Sequence, residues 1–400
     1  MTFPLKTEDG LTLYIGTPDL LRMLDAGLHT SDLFDFAQLD MTDATMLMRL
    51  SMLFNLLGHA EMARDMQDRA LKITPFYHLA ASAPARIRLL AILKPGYLQD
   101  NTPLEFLLEN SDVALDFVYV SPDLPLPASL PEYDLAFVAI SQVEAHRACL
   151  AQVRTLMRGS PRPILNFPAE DGMLERDRVS VLLQSLPGLE APLSHRIDRD
   201  GLLGMIAGQA PPGAVPDDCA FPVIVRPFGS QAGKGLARID HADAIAAYLQ
   251  ERPEQSFSMS RFIDYRSADG QYRKYRIVFI DGKPFICHLA IAAHWIVHYQ
   301  TAGMEQSADK RAEEASCMQD FETDFCRRHG PALLALAGRI GLEYLVIDCA
   351  ETGDGKLLFF EADNIAIVHA MDDADLYPYK QVQMRKVFLA FRQMLARRIA

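Results

Sequence analysis

Residues Phe221 to Gly235 read "FPVIVRPFGSQAGKG". An apolar run ends there in Arg226 and Pro227, and three glycines, Gly229, Gly233 and Gly235, follow within a short span. Glycine tolerates positive φ and has no Cβ, so such a loop brings backbone N–H groups close to a ligand, and phosphate is the ligand that suits them. The spacing G-x3-G-x-G differs from the dinucleotide pattern G-x-G-x-x-G. It also fails G-x4-G-K-[ST], because Gly235 follows Lys234 where Ser or Thr would stand. Downstream, "LARI" (Leu236–Ile239) reads as a strand, and Asp240 as the N-cap of a helix over "HADAIAAYLQ". The loop is therefore expected to join two strands. A plain glycine-rich hairpin turn accounts for the loop alone equally well, so the rest of the chain decides.

At 400 residues the chain is long enough for two or three domains. Its 39 basic and 52 acidic residues leave a net charge of -13, which argues against a dominant electrostatic attraction to nucleic acid or anionic lipid. Cys149, Cys219, Cys287, Cys317, Cys326 and Cys349 show no C-x-x-C spacing, so neither a zinc ribbon nor a disulfide framework is expected and a reducing cytosol fits. The opening "MTFPLKTEDG" carries acids where a signal peptide needs an apolar run, and no stretch of about 18 uninterrupted apolar residues follows. The expectation is a soluble, cytoplasmic protein with no nucleic-acid or membrane partner.

Three textures divide the sequence. Residues 1–83 are expected to be helical: "DATMLMRLSMLFNLLGHAEMARDMQDRALKIT" (Asp43–Thr74) repeats apolar residues at three-and-four spacing and stops at Pro75, which reads as two antiparallel helices. The order Leu57, Gly58, Ala63, Ala70, Pro75 resembles one tetratricopeptide repeat, serving either as a brace or as a surface for a protein partner. Residues 84–193 contain "IRLLAIL", "ALDFVYV", "YDLAFVAI" and "RPILN" as buried strands, with helices such as "NTPLEFLLEN" and "SQVEAHRACLAQVRTLM" between some of them, so a parallel α/β sheet is expected. Residues 194–400 mix strands and helices as an α+β unit: "FPVIVRP", "LARI", "SFSMSRFI", "YRIVFIDGKPFICHLAI" with a hairpin turn at Asp281-Gly282, one helix from about Ala308 to Gly341, "LEYLVIDCA" and "KLLFFEAD".

Charges interrupt those last strands. Lys274 and Arg276 share one face of "QYRKYRIVFIDG" while Arg273 points away. Asp348 ends one strand, and Glu361 and Asp363 sit at i and i+2 on the next. Acids gathered by adjacent strands repel unless a cation lies between them, and hard oxygen donors suit Mg²⁺ shared with substrate phosphates. A strand end with Asp348 and Glu361 standing in water is the weaker alternative when they are read alone.

The ensemble resembles the ATP-grasp superfamily, most closely its glutathione synthetase and RimK-type members, over about Ile87 to Asp373, including the connection "PILNFPAEDGMLERDRVSVLLQSLPGLEAPLSHRI". The resemblance implies an N-terminal helical hairpin, a Rossmann-like pre-ATP-grasp domain and an ATP-grasp fold. It places Arg226 where the family usually has Lys, makes Gly229, Ser230, Gly233 and Gly235 a phosphate flap, counts Lys234 between those glycines among the catalytic groups, and puts Phe262, Ile263, Asp264 and Phe360 around the adenine and ribose. It implies that Arg276 contacts the transferring phosphate and that Asp348, Glu361 and the Asp363/Asn364 pair hold metal. Lys274 stands where relatives often carry an acid, and the usual E-x-N appears as "EADN". A regular strand selects Asp363 as the ligand and leaves Asn364 orienting a neighbouring loop; a bulge after Glu361 would turn Asn364 inward.

The implied activity is an ATP-dependent carboxylate–amine or carboxylate–thiol ligase working through an acylphosphate on an amino acid, peptide or peptide-like metabolite, with two Mg²⁺ ions that Mn²⁺ can replace. Positioning and charge neutralisation would carry such catalysis, which fits the missing nucleophile motif. His288, His294 and His298, around the sole tryptophan Trp295, occupy the segment where relatives place acceptor-binding residues. Alternatively they pack in a sheet, or His294 and His298 face one way on a helix as zinc ligands, although the acid of H-E-x-x-H is missing. Other readings are a nucleotide-binding regulatory or scaffold protein and an ATP-grasp kinase; a homodimer is compatible with each.

Overall fold

Asp43 accepts hydrogen bonds from the Thr45 and Met46 N–H groups at 2.8 and 3.1 Å, satisfying two donors that open a helix. That helix, Ala44–Leu56, turns through Gly58 at φ +80° into a second, Ala60–Ile73. Leu20 and Met23 of the preceding helix Thr17–Asp25 share a core with Met46, Leu50 and Leu53. The expected hairpin is present, and its likeness to a tetratricopeptide unit remains one of residue order. The computed structural model describes residues 14–27, 41–167, 174–207, 218–231 and 233–400; the opening decapeptide, part of the "PILNFPAEDGML" connection and Ala232 of the loop lie outside them.

The first sheet contains β1 (Phe76–Leu79), β2 (Ile87–Leu93), β3 (Val113–Tyr119), β4 (Leu135–Val138) and β5 (Ile164–Leu165), in the order β1-β3-β2-β4-β5. β2 to β5 pair parallel, as the near-continuous apolar runs require of strands covered on both faces. β1 is an antiparallel edge on β3 and lies N-terminal to the expected boundary at residue 84. Between strands, "NTPLEFLLEN" forms only a short helix, Leu104–Leu107, and the later helix runs over Arg147–Leu156 behind a 3₁₀ turn.

The remaining strands are β6 (Leu189–Glu190), β7 (His195–Asp198), β8 (Val223–Pro227), β9 (Ala237–Ile239), β10 (Ser256–Arg261), β11 (Tyr272–Ile280), β12 (Lys283–Ala292), β13 (Tyr344–Glu351) and β14 (Leu357–Asp363). They form two sheets, ordered β7-β10-β8-β9 and β12-β11-β13-β14-β6. The loop of Phe228–Leu236 joins the antiparallel pair β8 and β9, as expected. Asp281 and Gly282, at φ +52° and +78°, make the two-residue turn between β11 and β12, for which both positions must adopt positive φ.

Three expectations are corrected. The helix expected over about 308–341 is two, Ala308–Gln319 and Phe325–Ile340, parted by a turn over 320–324. Asp240 is no N-cap: the helix starts at Ala244, and Asp240 instead accepts from Arg238 Nε at 2.8 Å. β6 crosses the expected boundary at 193 by pairing parallel with β14. The C-terminal helix Pro378–Ile399 ties the two larger sheets together, with Phe391 packed between Phe137 and Tyr344 and Arg392 bonded to both oxygens of Asp112 at 2.7 and 2.8 Å. No described helix is long and apolar enough to cross a membrane.

Candidate active site

β11 and β13 place Arg276 directly opposite Asp348. Arg276 Nε and Nη2 donate to the two Asp348 oxygens at 2.8 and 3.1 Å, and Lys274 Nζ donates to Oδ2 at 2.8 Å. Strand alternation explains the trio: Lys274 and Arg276, two residues apart, leave one face, whereas Arg273 leaves the other and pairs with Asp269 and Glu313. The Asp348 side chain is only 4% exposed. Burial alone would push its carboxyl up, but Arg276 and Lys274 outweigh that and hold it well below the usual range.

Glu361 pairs with Asp348 across β13 and β14, and Asp363 with Val346. Cys349 pairs with Phe359, so Phe360 is an extra residue and the bulge lies just before Glu361, not after it. From Glu361 onward the strand is regular and Asp363 shares its face, as expected. Burial raises the Asp363 carboxyl to about 6 despite Arg276. Asp363 Oδ1 accepts from the Ile365 and Ala366 N–H groups at 2.9 and 2.6 Å. Asn364 is fully buried away from this face: its Nδ2 donates to the Ile140 carbonyl at 2.9 Å and its Oδ1 accepts from Gln142 N at 3.1 Å. This corrects its inclusion among the metal ligands; its amide ties β14 to the loop after β4.

The glycine loop reaches the same cluster. Gly229, Gly233 and Gly235 all have positive φ, between +68° and +72°. Arg226, on β8, donates through Nε to Ser230 Oγ at 2.9 Å and through Nη2 to the Ser230 carbonyl at 2.6 Å, so it holds the loop that follows it. Burial, and then the neighbouring Arg176, lower its pKa to about 10. Lys234 is exposed in the loop turn. A Cβ on Gly233 would stand 2.4 Å from His298 Nε2, so this histidine packs directly on the loop.

Sequence reasoning missed Arg176. Its Nη2 donates to Glu361 Oε2 and its Nη1 to the Ser230 carbonyl at 3.4 Å, bridging β14 to the glycine loop. Burial pushes the Glu361 carboxyl up, but Arg176 leads the cations that bring it below its ordinary value. Its position in "ERDRV", inside the connection that carries the resemblance, was the available signal.

Phe262 N donates to the Pro222 carbonyl at 2.9 Å, and its ring meets Trp295 edge-on at 5.6 Å with the Arg238 guanidinium 4.4 Å from its centre. Phe360, displaced by the bulge, meets Tyr265 at 5.1 Å. Ile263 packs on the main core, and Asp264 is paired with Arg266 at 2.7 Å in an exposed position. His288 is the cross-strand neighbour of Arg276 and packs on Tyr299 at 4.6 Å; burial and Arg276 push its pKa well down, so the ring is neutral. His294 lies in a bend and His298 just before a 3₁₀ turn, Tyr299–Thr301, so the two do not share a helix; His294 is also exposed, which removes the geometry of a two-histidine zinc site.

Among the described residues, Glu361 Oε1 and Asp363 Oδ2 have no protein partner, and both are hard oxygen donors on one strand face. That set fits Mg²⁺, which prefers one or two carboxylates together with substrate phosphates. The chain resembles ATP-grasp proteins. A RimK-domain ATP-grasp protein from Sphaerobacter thermophilus aligns at 16% identity and TM-score 0.39, over 78% of this chain and 99% of that one. D-alanine–D-alanine ligase from Bacillus anthracis aligns at 11% and 0.46, over 78% and 98%. The VanG D-Ala:D-Ser ligase from Enterococcus faecalis aligns at 12% and 0.44, over 77% and 99%. Likeness at this level says nothing of substrate or mechanism. No protein-family model and no curated protein sequence matches the chain.

Proposed function

We infer that this protein is an ATP-dependent carboxylate–amine ligase. The observation that supports the reading is the convergence of Arg226, Arg176, Lys274 and Arg276 with Asp348, Glu361 and Asp363 beneath a glycine loop. Four cations of this kind neutralise transferring phosphate, and no side chain in the cluster needs to act as a nucleophile. A carboxylate oxygen of the substrate attacks the γ-phosphorus of ATP, the bond to the β,γ-bridging oxygen breaks, and ADP leaves. An amine then attacks the acyl carbon of the resulting acylphosphate, loses a proton and expels inorganic phosphate.

Arg276 is the group placed to meet developing phosphate charge, since Asp348 holds its guanidinium in one orientation. Arg226 and Arg176 hold the loop through Ser230. Glu361 and Asp363 would hold Mg²⁺, which supplies charge neutralisation to the phosphates. His298, packed against Gly233, and neutral His288 border the same cluster and belong to the acceptor side. The acceptor is an amino acid, peptide or peptide-like metabolite. The test combines a melting-temperature titration with Mg·ATP and a screen for ADP release across amino acid and peptide pairs. A rise in melting temperature is expected by mass action. No shift at millimolar Mg·ATP would sink the reading, and ADP released without an amide product would turn it toward a kinase.

A further inference from the structure

Both oxygens of Asp348 are engaged by cations. Its Oδ1 accepts from Arg276 Nε, and its Oδ2 accepts from both Arg276 Nη2 and Lys274 Nζ. Glu361 and Asp363 differ: the first uses Oε2 on Arg176 and the second uses Oδ1 on two backbone N–H groups, which leaves one oxygen of each unpartnered among the described residues. All these side chains leave one face, because Lys274 is two residues from Arg276, Arg276 faces Asp348, Asp348 faces Glu361, and Asp363 follows two residues on.

We propose that Lys274 is a built-in cation of this centre: its ammonium, seated on Asp348, takes the place of one divalent ion, and the centre binds a single divalent ion on Glu361 and Asp363. This rests on the ATP-dependent reading above, and it departs from the two ions that the family resemblance implies. A divalent ion needs oxygen donors, and neither Lys nor Arg supplies one. A carboxylate already neutralised by an ammonium and a guanidinium offers an incoming cation little attraction, while the two resident charges repel it. Expelling Lys274 instead would strand an ammonium whose side chain is 13% exposed beside the half-buried, like-charged Arg276. An ammonium is a compact point charge and fits the place of an ion better than a guanidinium would, which agrees with Lys at 274 and Arg, with its fork, at 276.

The test counts bound ions and does not depend on turnover. The full chain is saturated with a β,γ-imido analogue of ATP and titrated with Mn²⁺, whose free form gives a paramagnetic resonance signal that is lost on binding. One ion per chain is expected for the wild type and for Lys274→Arg, and two for Lys274→Met, where Asp348 Oδ2 is freed of the ammonium and keeps only the bond from Arg276 Nη2. Two ions in the wild type, or one in a folded Lys274→Met, overturn the proposal. Should Lys274→Met fail to fold, the wild-type count decides by itself. Displacement of a fluorescent nucleotide is followed in the same samples: no displacement brings down the ATP-dependent reading and this inference with it, whereas displacement with the wrong ion count brings down the role of Lys274 alone.

Discussion

Arg276 and Asp348 face each other across β11 and β13, joined by hydrogen bonds of 2.8 and 3.1 Å that use both oxygens of a buried carboxylate. The pair fixes the guanidinium plane, so that its charge is oriented before any substrate arrives.

Arg276→Ala is therefore expected to lower kcat by about 100-fold, the effect of losing one preorganised charge stabiliser, with a smaller change in ATP affinity. Arg276→Lys should restore little of this, because an ammonium cannot make both bonds. Steady-state kinetics with direct measurement of nucleotide affinity checks it; undiminished turnover in the alanine variant would take Arg276 out of the chemistry.

Asp363 and Asn364 are adjacent yet separable. Asp363→Asn should raise the Mg²⁺ concentration needed for ADP release while leaving the melting temperature near that of the wild type. Asn364→Ala should do the reverse: it leaves the Ile140 carbonyl and Gln142 N–H buried without partners, a loss of about 1–3 kcal/mol in stability. A metal requirement raised more by the alanine variant than by Asp363→Asn would reverse the assignment.

Gly233 and His298 form a steric pair. Gly233→Ala sets a Cβ at 2.4 Å from the imidazole, at a φ of +68° that alanine adopts with strain, so the affinity of the loop for Mg·ATP should fall. Adding His298→Ala removes the collision but not the strain, and should recover part of the lost nucleotide affinity, which is measured apart from turnover because His298 borders the acceptor side. No recovery in the double variant would show that backbone strain alone is responsible.

Glu105 lies under the N-terminal helices, where its Oε2 accepts from Thr17 N at 3.3 Å and its Oε1 is shielded, with no partner among the described residues. Burial raises its pKa to about 7. Between the unfolded value of an ordinary glutamate and about 7 the folded state binds the extra proton, so this residue favours folding at low pH and the benefit is lost as pH rises, at up to about 1.4 kcal/mol per pH unit. Glu105→Gln should flatten this fall between about pH 5 and 7 and raise stability at pH 8 relative to the wild type. Denaturant midpoints across that range check it; parallel curves for the two proteins would show that Glu105 does not titrate there.

The long strands were legible because each repeats a local rule. β2, β3, β11, β13 and β14 are apolar runs whose interruptions fall at strand spacing, and Asp281-Gly282 demands a turn whatever surrounds it. The common face of Lys274 and Arg276, and of Glu361 and Asp363, follows from the same period of two.

Short elements escaped that rule. β1, β6 and β7 hold two to four residues each and exist because a neighbouring strand offers them hydrogen-bond partners. The extra residue at Phe360 and the break between Gln319 and Phe325 likewise answer to packing against distant chain.

By itself the sequence determined which side chains could share a strand face, where the glycine loop must bend and that acids and bases interrupt apolar strands. Only the tertiary structure decided their partners: Arg176 reaches Glu361 across 185 residues, and Asn364 reaches Gln142 across 222. Periodicity is set by neighbours within a few residues, whereas these bonds are set by the path of the whole chain, which brings remote groups together where a buried charge or amide would otherwise lack a partner.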